Sequence, residues 1–110
     1  MLQDLIDNFK SCPKGAVFKN GFDNPHSYRG DYEQLAVEPC ENVPVEYMIS
    51  ILEDALGKQF TGYKGGEFTM YGYVDVYLSE YGVNSRQVIT GWGAKIGEGF
   101  TLLTEDKDIW

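Results

Sequence analysis

The sequence predicts an α+β domain: two helices, the second dominant over about residues 44–56, packed on a mostly antiparallel sheet. Three patterns predict it. Val45, Met48, Ile49, Leu52 and Leu56 recur at helical spacing behind Pro44, which suits a first helical turn. Leu2, Leu5, Ile6 and Phe9 repeat that spacing on a shorter stretch. From residue 73 the period becomes two, as Val74, Val76 and Leu78 alternate with Tyr73, Asp75, Tyr77 and Ser79. At 110 residues and 43% apolar content the chain has the size and composition of one packed domain, 1–110.

In chain order, residues 2–11 form the first amphipathic helix. Cys12-Pro13-Lys14-Gly15 stops it, because proline lacks a donor and glycine frees the turn. Ala16-Val17-Phe18 reads as a short strand. Residues 19–30 are rich in Asn, Gly, Pro and Ser and predict a loop of the length at which loops carry function. Residues 32–38 are extended, with Tyr32, Gln34, Ala36 and Glu38 on one side, and Pro39 ends them.

The helix over 44–56 follows, with Glu46, Ser50, Glu53 and Asp54 on its solvated face and Gly57-Lys58 as its stop. Residues 73–79 are a strand, 81–85 a turn, and Val88, Thr90 and Trp92 mark an antiparallel partner. Gly91, Gly93, Gly97 and Gly99 lead into a final strand near 100–103. Residues 105–110 read as a flexible acidic tail.

Charge narrows the function classes. The net charge is −8, which argues against direct binding to nucleic acid or to an anionic membrane surface. No apolar run reaches the ~20 residues of a membrane span. The opening Met-Leu-Gln-Asp-Leu-Ile-Asp lacks the basic flank and apolar block of a secretory signal, so a cytoplasmic protein with reduced Cys12 and Cys40 is expected. One His and two separate Cys fall short of a zinc set. No metal and no cofactor is expected.

Two polar segments stand out: His26-Ser27-Tyr28-Arg29-Gly30 and Thr61-Gly62-Tyr63-Lys64-Gly65-Gly66. Each sets an aromatic ring and a cation beside glycine, where backbone N–H groups can approach an anion. Arg29 supplies a planar fork of donors, Lys64 a point charge, and Tyr28 and Tyr63 stacking faces. His26, Ser27, Gly65 and Gly66 complete the candidate ligand-binding set. The structural alternative is a loop whose Arg29 pairs with Asp31, Glu33 or Glu38, and a tight turn at 61–66. Between the two segments, residues 31–57 hold seven acids (Asp31, Glu33, Glu38, Glu41, Glu46, Glu53 and Asp54) and no Lys or Arg.

Catalysis has less to stand on. His26 is the only histidine, and no Gly-x-Ser-x-Gly elbow is present. Glu38 and His26 would serve acid–base chemistry only if they met. Gly91-Trp92-Gly93-Ala94-Lys95-Ile96-Gly97 has the wrong spacing and setting for a dinucleotide fingerprint.

The stretch from His26-Ser27-Tyr28-Arg29-Gly30-Asp31-Tyr32 through Leu35-Ala36-Val37-Glu38-Pro39, then Ala55-Leu56-Gly57-Lys58 and Phe60-Thr61-Gly62-Tyr63-Lys64-Gly65-Gly66-Glu67-Phe68-Thr69-Met70, resembles a group of small uncharacterised proteins of tailed bacteriophages. It covers under half the chain. The resemblance implies a phage gene expressed in a bacterial cytoplasm and supplies no mechanism; accessory phage proteins of this size often act against host defence.

The function expected is therefore that of a non-enzymatic, counter-defence binding protein whose two loops sequester a small anionic, nucleotide-type ligand. A second expectation is an acidic inhibitor that binds a basic host nuclease or other defence protein through Glu46, Glu53 and Asp54. A third is an oligomeric structural or assembly protein, suggested by the many tyrosines.

Overall fold

The structure, a computed structural model, describes residues 1–27, 34–61, 67–72, 74–80, 83–97 and 99–106. The elements run α1 (Leu2–Lys10), β1 (Val17–Ser27), β2 (Gln34–Pro44), α2 (Val45–Ala55), β3 (Gln59–Thr61), β4 (Glu67–Thr69), β5 (Asp75–Glu80), β6 (Val83–Lys95) and β7 (Gly99–Asp106). This is the α+β fold expected from the sequence. Beyond that expectation, five strands close into a barrel in the order β1-β2-β5-β6-β7, with β3 and β4 a separate two-stranded sheet. The β1/β2, β5/β6 and β6/β7 pairings are antiparallel, whereas β2/β5 and β1/β7 are parallel. The parallel β2/β5 pair requires a crossover, and α2 lies within it.

α1 buries all four residues that its periodicity picks out, and α2 buries Val45, Met48 and Leu52 while Ile49 and Leu56 are partly buried. Leu2, Leu5, Ile6 and Phe9 of α1 and Val45, Met48 and Leu52 of α2 join Phe18, Phe22, Leu35, Val37, Val76 and Ile89 in one core. Gly57 ends α2 region with φ +82, a conformation that L side chains rarely adopt. Five aromatic rings form a chain through this core. Trp92 and Phe100 are 5.9 Å apart between ring centres, Phe100 and Phe18 6.0 Å, Phe18 and Phe9 6.0 Å, and Phe9 and Phe22 5.9 Å. Asn8 ties α1 to β6 as well: its Oδ1 accepts from the Trp92 backbone N–H (3.2 Å), and its backbone carbonyl accepts from Trp92 Nε1 (2.9 Å).

Several boundaries differ from expectation, each for a physical reason. The loop expected over 19–30 is largely strand, because β1 runs to Ser27. Gly21 is there for close packing: a Cβ would come 2.8 Å from Val43 Cβ and 3.1 Å from Met48 Sδ. Asn24 and Pro25 form an irregularity in the ladder, with Asn24 at φ 53, instead of ending it. β2 continues through Pro39, which pairs in register with Phe22; one missing donor does not stop the strand. β6 starts at Val83, inside the expected turn, and Glu105 and Asp106 pair with Val88 and Gln87 as the end of β7, not as part of a tail.

Gly91 and Gly93, expected in the connection to the last strand, lie within β6, which runs on to Lys95. A Cβ on Gly91 would lie 2.7 Å from Asn8 Oδ1, so this glycine admits the α1 contact. No helix among the described residues is long and apolar enough to cross a membrane.

Two substitutions test this packing. Phe18→Ala removes a ring from the middle of the aromatic chain and is expected to cost about 3–5 kcal/mol in urea unfolding. Ser79 is buried and its hydroxyl has no hydrogen-bond partner among the described residues, so Ser79→Ala is expected to be neutral or to raise stability by about 1 kcal/mol in the same assay.

Candidate functional site

Both polar segments singled out above connect antiparallel strands. Residues 28–33 join β1 to β2, and residues 62–66 join β3 to β4. Tyr28, Arg29, Tyr63, Lys64, Gly65 and Gly66 lie outside the described residues, as does any pairing of Arg29 with Asp31, Glu33 or Glu38. For His26 and Ser27 the structure gives the backbone register: they pair with Ala36 and Leu35 at the far end of the ribbon. On the other hairpin Thr61 pairs with Glu67. β3 comes near β1.

The ribbon beside His26 is built as follows. Phe22 points into the core, so Asp23 points outward by strand alternation. Asp23 pairs across the ladder with Glu38, and Glu38 stands two residues along β2 from Ala36, the partner of His26. Cys40 follows two residues further and is exposed.

From α2, Tyr47 reaches over this ribbon. Its phenol donates to Asp23 Oδ1 at 2.7 Å, and the same oxygen accepts from the Asn24 N–H at 2.7 Å. The bond to the Asp23 carboxylate is the main cause pushing the Tyr47 phenol above its ordinary range, with burial and the nearby Asp23 and Cys40 charges adding to it. The ring nonetheless remains 44% exposed.

Two of the three acids expected as a docking face on α2 have partners within the chain. Glu46 accepts from the Gly15 N–H at 2.7 Å. That bond, a second from the Glu46 N–H itself and the Lys14 charge hold its carboxyl below the usual glutamate range, against a smaller opposing effect of burial. Glu53 pairs with Lys10 of α1 at 3.3 Å. Asp54 is exposed. The two thiols are free: Cys12 is buried, and burial followed by the Glu46 charge pushes it above the ordinary range.

Elsewhere, a cleft of about 400 Å³ lies between the start of α1 and strands β5–β7, lined by Asp4, Asp75, Thr90 and Glu105 with Met1, Val88 and Ile89. Among the described residues no three His, Cys, Asp or Glu side chains come together as a metal site.

Sequence reasoning missed Tyr47 and Asp23. The available signal was a bulky aromatic at position 47 among the polar residues of α2. What the sequence could not give was its partner, 24 residues earlier. The chain matches no protein-family model, no curated protein and no solved structure.

The Glu46 contact carries a pH prediction. A carboxyl whose folded pKa is depressed stabilises the fold above its unfolded pKa, and that contribution is lost as pH falls through the folded value. Glu46→Gln is therefore expected to be less stable than the parent at about pH 6, and the difference to shrink towards about pH 3, in urea melts at the two values.

Proposed function

We propose that this chain is a non-enzymatic binding protein that holds a small anionic, nucleotide-type ligand between the segments 26–30 and 61–66. The observation that supports the reading is that each segment connects a pair of antiparallel strands and that β3, which leads into the second, comes near β1, which leads into the first. Arg29 and Lys64, with glycine-flanked N–H groups, would take the phosphate, while Tyr28 and Tyr63 would offer faces to a base. One Arg–phosphate pair and one stacked base contribute ~1–3 kcal/mol each. That sum is modest, so useful affinity needs the loops to close on the ligand or a second copy to complete the pocket.

The resemblance to phage proteins supports a setting in which the ligand is a host defence signal and binding removes it from solution. The competing reading, an acidic inhibitor of a basic host protein, draws less support, because Glu46 and Glu53 are engaged within the chain.

Melting curves with mono-, di- and cyclic nucleotides test the proposal. A ligand at ~100 times its Kd adds about 2.7 kcal/mol, a shift of several degrees for a domain of this size. Arg29→Ala is expected to abolish the shift. Absence of any shift, together with a salt-sensitive complex with a host nucleic-acid enzyme, would favour the acidic inhibitor instead.

A further inference from the structure

We draw no further inference here: the strongest candidate, the cleft of about 400 Å³ between the start of α1 and strands β5–β7, rests on the acidic cluster of Asp4, Asp75 and Glu105, and nothing among the described residues points to what would occupy it, the buried and unpartnered hydroxyl of Ser79 lying outside its lining.

Discussion

The barrel depends on a seam held by rings. β1 and β7 meet at a single registered pair, Phe18 and Phe100, so the ladder that elsewhere holds neighbouring strands is nearly absent there. Side chains replace it. Phe18 packs on Phe100 from one side and on Phe9 from the other, while Trp92 packs on Phe100 from β6. Each such pair adds roughly 0.5–1.5 kcal/mol beyond the area it buries. The seam also recruits α1, because Phe9 belongs to the chain of rings and Asn8 is bonded to Trp92.

That constraint positions the candidate site. β1 is eleven residues long, and Phe22 is the last of its residues in the described core. Beyond it Asp23 pairs with Glu38, and His26 and Ser27 resume the ladder with Ala36 and Leu35. Asp23 faces outward, and the irregularity at Asn24 and Pro25 re-aims the strand after it. Met48 sits against Gly21, which fixes α2 over β1 and brings Tyr47 to Asp23. The packing that completes the core thus also sets the polar ribbon.

The acidity of the chain divides along the same lines. Glu46 secures the turn before β1 to the first turn of α2, and Glu53 links the two helices through Lys10. These acids stabilise local structure and leave little for a partner. Asp23 is engaged too, since it accepts from the Tyr47 phenol and the Asn24 N–H while standing opposite Glu38 in the ladder.

Much of the fold was legible because its signals are local. The stripe from Val45 to Leu56, the Pro44 start and the Gly57 stop all speak within a dozen residues, and α2 follows them closely. β1 was misread because Gly21, Asn24 and Pro25 look like turn formers. The reasons for them, a close approach by Val43 and Met48 and a strand irregularity, depend on residues about twenty positions away or on the partner strand. Barrel closure was illegible for a related reason: its two parallel pairings join strands far apart in sequence. The candidate segments were visible as composition, whereas Tyr47 meets Asp23 only once α2 has crossed β1.

The most direct measurement is an amide chemical-shift titration of the ¹⁵N-labelled chain with whichever nucleotide raises its melting temperature most. The account predicts perturbations concentrated in residues 26–30 and 61–66 and in the strands that lead into them, with α1 and β7 unchanged. Perturbations centred on the cleft of Asp4, Asp75 and Glu105, with the ribbon silent, would contradict it.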